Sequence, residues 1–67
     1  MRRLSRMSDE ELVALVASRD QEAFAELYRR FQPGVRALAR RRIGDVDRAD
    51  ELTQEVFIDA WRSASRY

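Results

Sequence analysis

The sequence predicts an all-α fold built as a small domain of three helices. Three observations carry that prediction. Apolar residues recur at steps of three and four, a capping residue stands before each such stretch, and no segment alternates apolar and polar positions as a strand would.

The elements follow in order. Ser8-Asp9-Glu10-Glu11 spells a capping box: Ser8 can accept from a first-turn N–H and Glu11 can reach back. Leu12, Val13, Leu15 and Val16 then mark a first helix over about 9–18. The basic stretch 1–7 ahead of it is expected to be a disordered tail, with the folded unit spanning 8–67. Asp20 is the next N-cap. Phe24, Leu27, Tyr28, Phe31, Val35, Leu38 and Ala39 form one apolar stripe behind it, interrupted by Pro33-Gly34. The stripe keeps phase across the break, which favours a single second helix over about 21–42, kinked at Pro33, rather than two. Gly44 suits its C-cap. Asp45 or Asp47 caps a third helix over about 47–65, with Ala49, Leu52, Thr53, Val56, Phe57, Ala60 and Ala64 on its inner face. The short connection around 43–46 makes helices two and three antiparallel. The predicted core is Leu12, Leu15, Val16, Phe24, Leu27, Tyr28, Phe31, Leu38, Leu52, Val56, Phe57, Ala60 and Trp61.

The residue inventory narrows function. Without Cys or His there is no thiol nucleophile, no disulfide, no Cys/His zinc site and no histidine acid–base chemistry. Two glycines, Gly34 and Gly44, cannot build a phosphate-cradling loop. A non-enzymatic role follows, with no catalytic residues, metal or cofactor expected. No window approaches a membrane span, and Met1-Arg2-Arg3-Leu4-Ser5-Arg6 has no apolar stretch behind its charges, so neither a membrane nor secretion is indicated. The lack of Cys fits the cytoplasm. Ordering 67 residues costs on the order of 100 kcal/mol in conformational entropy. So short a chain needs close helix packing, self-association, a partner, or to be part of something longer.

The net charge of +1 hides blocks: +3 over 1–7, −5 over 8–28, +6 over 29–42, −5 over 43–59 and +2 over 60–67. Such blocks read as solvated helix faces that complement one another, or as separate basic and acidic binding surfaces. Arg29, Arg30, Arg36, Arg40, Arg41 and Arg42 could contact phosphates, but the last three have no interleaved aromatic for base stacking.

The third helix carries a second pattern. At 100° per residue, Glu51, Gln54, Glu55, Ile58 and Arg62 share a sector roughly 100° wide, away from Leu52, Val56 and Ala60. Ile58 is an apolar residue among polar ones, and Trp61 lies at the edge between the faces. One reading is a solvated face with a stray Ile. The other is a docking strip with an apolar anchor and acceptors for arginines of a partner. A metal pair on Glu51 and Glu55 is disfavoured, because a bundle site of that kind uses Glu-x-x-His.

The run from Asp47 to Arg62, with Asp50-Glu51-Leu52-Thr53-Gln54-Glu55-Val56-Phe57 at its centre and Ala60-Trp61 at its end, resembles the core-binding helix of extracytoplasmic-function (ECF) sigma factors of the sigma-70 family. The stretch from Asp20 to Pro33 resembles that family's first region-2 helix, and Ser8–Val16 the short helix that opens such proteins. The resemblance covers about 8–67. It implies a helical sigma region-2 domain in transcription initiation whose Leu-x-Gln-Glu helix docks on the β′ clamp coiled coil of core RNA polymerase. Carried over by position, the docking residues are Glu51, Gln54, Glu55 and Ile58, with Arg62 beside them. Glu51 stands where relatives often have Asp, which keeps the charge and lengthens the arm.

Family members continue past a position like Tyr67 with a Trp-bearing helix that melts and reads promoter DNA, and then a helix-turn-helix domain. The resemblance therefore implies either a truncated sigma factor or a free-standing short protein, which meets promoter DNA only through segments not in this sequence. An anti-sigma protein is the second partner the family implies. The alternative reading is a regulatory module that binds an anti-sigma protein or pairs with itself, as a homodimer, through an incompletely covered core.

Overall fold

A computed structural model describes residues 3–66. Helix α1 spans Asp9–Ala17, α2 Gln21–Ile43 and α3 Val46–Ser63, with single 3₁₀ turns at Leu4–Arg6 and Ala64–Arg66. The all-α class and the helix order agree with the sequence, and no strand occurs among the described residues.

Local chemistry sets the helix ends. Ser8 Oγ accepts from the Glu11 N–H at 3.1 Å and Glu11 Oε1 accepts from the Ser8 N–H at 3.0 Å, completing the capping box. That N–H holds the Glu11 carboxyl below its usual pKa. Asp20 caps α2 through the Ala23 N–H, and Asp45, not Asp47, caps α3 through the N–H groups of Asp47 and Arg48. Gly44 ends α2 at φ 74°, the left-handed geometry that a glycine adopts without strain. Helix α2 runs unbroken through Pro33, whose ring nitrogen cannot donate to the carbonyl four residues back.

Helices α2 and α3 are antiparallel. Arg36 and Arg40 meet Asp50, Tyr28 meets Phe57, and Phe24 meets Trp61, so residue numbers fall along one helix as they rise along the other. The Phe24–Trp61 rings lie 5.1 Å apart and the Tyr28–Phe57 rings meet edge to face at 4.7 Å. Helix α1 lies across one end of this pair. There Leu12, Val16, Ala23 and Ala64 are buried, with Leu15, Phe24, Leu27 and Trp61 packed against them.

Within the stretch 1–7, Leu4–Arg6 form a turn, and Leu4 and Met7 pack on the core. Arg30 donates to the carbonyls of Leu4 (3.0 Å) and Ser5 (3.2 Å). Met1 and Arg2 lie outside the described residues.

One expectation is corrected, that of the core. Tyr28, Phe31, Leu38, Leu52, Val56 and Ala60 are exposed, not enclosed. Away from the α1 end, α2 and α3 pack only against each other, so a stripe there is shielded from one side only. On α3 the enclosed positions are Ala49 and Thr53. The Thr53 hydroxyl donates to the Ala49 carbonyl at 2.8 Å, so it is buried without a partner across the interface.

Candidate functional site

Three arginine-centred contacts hold α3 and its neighbours in place. Asp50 accepts four hydrogen bonds from two arginines one turn apart on α2. Arg36 donates through Nε and Nη2 at 2.9 Å each, and Arg40 through the same atoms at 3.2 Å. These donors, Arg36 first, hold the Asp50 carboxyl far below the usual carboxylate range. At the other end of α3, Arg19 donates to the carbonyls of Trp61 and Arg62 and to Ser65 Oγ, with its guanidinium 5.2 Å from the Trp61 ring centroid. Across the α1 end, Arg30 bonds Glu26 (2.9 Å) and Asp9 (3.0 Å), while Arg29 also reaches Glu26. Arg30 is the main reason the buried Glu26 carboxyl is held low.

Arg19 takes a left-handed φ of 64°. Its N–H donates to Val16 and the Asp20 N–H to Leu15, the paired bonds of a Schellman turn, at a position where glycine is usual. The strained backbone aims the Arg19 side chain at the end of α3.

These contacts complete the account of the basic run. Arg29, Arg30, Arg36 and Arg40 are committed to Glu26, Asp9 and Asp50, and Arg41 and Arg42 make no ion pair among the described residues. The charge blocks thus include faces that complement one another, and the case for a phosphate-binding stripe weakens. The charge blocks pointed to this pairing, but nothing in the sequence says which arginine meets which carboxylate, nor that Arg19 reaches the carbonyls at the end of α3.

The remaining surface of α3 has two free sides. On one, Leu52, Val56 and Ala60 line an open apolar groove closed on the other bank by Phe31, Val35 and Leu38 of α2. On the other, Glu51, Gln54, Glu55, Ile58 and Arg62 are all exposed, and among the described residues none of their side chains makes a hydrogen bond or ion pair. Ile58 is 49% exposed. All five predicted docking residues therefore reach solvent together. This arc presents two carboxylates and an amide around one aliphatic side chain, a surface that suits guanidinium groups on a partner. No group of three or more carboxylates that could hold a metal ion occurs among the described residues. No described helix is long and apolar enough to cross a membrane.

Comparison with known proteins gives the family. Residues 27–67 match the family model for sigma-70 region 2. Over 56 residues, 84% of the chain, the sequence is 39% identical to the ECF RNA polymerase sigma factor SigK of Mycobacterium tuberculosis and to that of Mycobacterium bovis. The match covers 30% of each of those proteins, and 29% of the SigK of a Mycobacterium sp. strain at the same identity. The chain thus spans less than a third of the length of these curated relatives. No solved structure matches it.

Proposed function

Because the chain belongs to the sigma-70 family, as a region 2 of the ECF type, we propose that it docks on core RNA polymerase at the coiled coil of the β′ clamp and serves transcription initiation. Its role is binding, not catalysis, and its place of action is the cytoplasm, with the polymerase. The observation that carries the proposal is the arc of Glu51, Gln54, Glu55, Ile58 and Arg62, exposed as one surface and free of internal partners. Glu51, Gln54 and Glu55 accept hydrogen bonds from basic groups on the coiled coil, Ile58 fills the apolar centre between them, and Arg62 closes the edge. The proposal gives promoter reading to none of these residues.

The test is capture of core polymerase, or of the isolated clamp coiled coil, by the chain. Glu55→Lys should abolish capture while circular dichroism remains helical. Removing one partner of a desolvated charge pair costs ~2–5 kcal/mol of binding, and reversal costs more. Undiminished capture by that variant would overturn the assignment.

The apolar groove favours a second reading, in which the chain binds an anti-sigma protein or a second copy of itself. Leu38, at 53% exposure, and Val56, at 44%, form apolar surface that association would shield. Light scattering at rising concentration distinguishes the self-associating form: a growing mass supports it, and a constant monomer mass removes it.

A further inference from the structure

We propose that Asp50, gripped by Arg36 and Arg40, is a positioning residue that fixes the rotation of α3 about its own axis and so determines where the docking arc points. The part of this inference concerning docking rests on the polymerase-binding reading; the part concerning rotation stands on the structure alone.

Few other contacts stop α3 from rolling. Its fully enclosed residues are Ala49 and Thr53, short side chains that interlock weakly with a neighbour, and beside them only the half-buried rings of Phe57 and Trp61 meet α2, against Tyr28 and Phe24. On the groove side, Leu52 and Val56 are more than 40% exposed and nothing is wedged against them. A roll that turned these two toward α2 would bury apolar surface and is favoured by the hydrophobic effect. The same roll would carry Glu51, Gln54 and Ile58 around with the helix. Asp50 opposes it. It sits about 100° around the helix from Ala49, on the flank away from Leu52. Its two oxygens receive bonds from two guanidinium groups whose planar donors tolerate little angular error. One turn further on, Gln54 opens the docking arc on that same flank. Asp50 therefore clips the helix beside the surface that must be presented. The Arg19 contacts at the far end bond to backbone carbonyls and to Ser65 Oγ, and they hold the position of the helix end.

The internal reporter of rotation is the Tyr28–Phe57 pair, with ring centroids 4.7 Å apart and planes at 62°. In this geometry each ring shifts the proton resonances of the other, and a roll of α3 would separate them. The experiment compares the full chain with Asp50→Asn, Asp50→Glu and Arg40→Gln by proton NMR and circular dichroism, and by titration with an isolated β′ clamp coiled coil. Asp50→Asn should keep its helical spectrum, lose the ring-current shifts of Tyr28 and Phe57, and bind about tenfold more weakly. Asp50→Glu, which keeps the charge, should restore both. Arg40→Gln, which removes one of the two grips, should fall between.

Ring-current shifts that stay at wild-type values in Asp50→Asn would overturn the rotational claim whatever the binding data show. Should Asp50→Asn fail to fold, Arg40→Gln carries the test, and unchanged shifts there overturn the claim equally. If the unsubstituted chain does not bind the coiled coil, the docking reading fails, while the ring shifts still decide the claim about rotation. If it binds and Asp50→Asn binds as tightly with its shifts lost, α3 rotates but docking does not depend on it, and the positioning role is overturned.

Discussion

The two ends of the molecule are held together by different physics. At the α1 end three helices meet, and Leu12, Val16, Ala23 and Ala64 are removed from water. At the other end α2 and α3 meet alone, the only fully buried residues of α3 there are Ala49 and Thr53, and a carboxylate between two arginines sets the geometry. A third helix converts an apolar stripe into a core. Where it is missing, the same kind of stripe becomes the bank of a groove, and charge pairing takes over the work of alignment. The end with the thinner core is also the end where the candidate docking arc begins.

The largest effect that separates the two ends should come from the same substitution made at each. Leu12 is fully enclosed, and Leu38 is 53% exposed. Leu12→Ala should cost about 2–5 kcal/mol, enough to unfold so small a domain. Leu38→Ala should cost about 0.5 kcal/mol or less. Thermal melts followed by circular dichroism give both numbers. Equal losses would mean that the groove is closed in solution and that the comparison is wrong.

A smaller effect is expected from Arg19, which ties the two regions together through α3. Arg19→Ala removes its bonds to the Trp61 and Arg62 carbonyls and its contact with the indole, for about 1–2 kcal/mol after allowance for exposure. Arg19→Gly removes the same bonds but relieves a left-handed backbone. It should therefore melt above Arg19→Ala. A glycine variant that melts lower would show that the turn is not strained.

The smallest effect near neutrality is that of pH. Asp50 and Glu26 both have folded-state pKa values depressed by arginine partners. A depressed carboxyl contributes stability that is present above its unfolded pKa of roughly 4 and is lost as pH falls toward the folded value. Stability should be flat from pH 7 down to about 5 and then decline. Arg30→Gln should flatten the part of the decline owed to Glu26, and Arg36→Gln the part owed to Asp50. Denaturant melts at each pH separate them. Declines of equal steepness in both variants and the parent chain would show that neither ion pair controls the acid limb.

Much of this was legible before any coordinates. Each helix start is announced by its own cap within three residues, and the step of three and four belongs to the backbone's period, so Ser8 and Asp20 could be read locally and the third cap narrowed to Asp45 or Asp47. The common face of the α3 arc was legible for the same reason: Glu51, Gln54, Glu55, Ile58 and Arg62 share a side on any α-helix. The core was only half legible. Periodicity says that Phe31, Leu38, Leu52 and Val56 lie on one side of their helices, but says nothing of whether another element covers that side. The packing of Leu4 and Met7 was hidden too, because nothing in a basic N-terminal stretch announces that Arg30, some 25 residues away, will bind its carbonyls.

By itself, then, the amino-acid order determined three capped helices, their antiparallel return at Gly44, and the side of α3 that faces outward, since each depends on contacts within a few residues. Only the tertiary structure decided which apolar residues are enclosed, which arginine answers which carboxylate, and that the arginine at position 19 reaches across to the end of α3. Burial and ion pairing depend on the distance between segments far apart in the chain, and no local pattern encodes that distance.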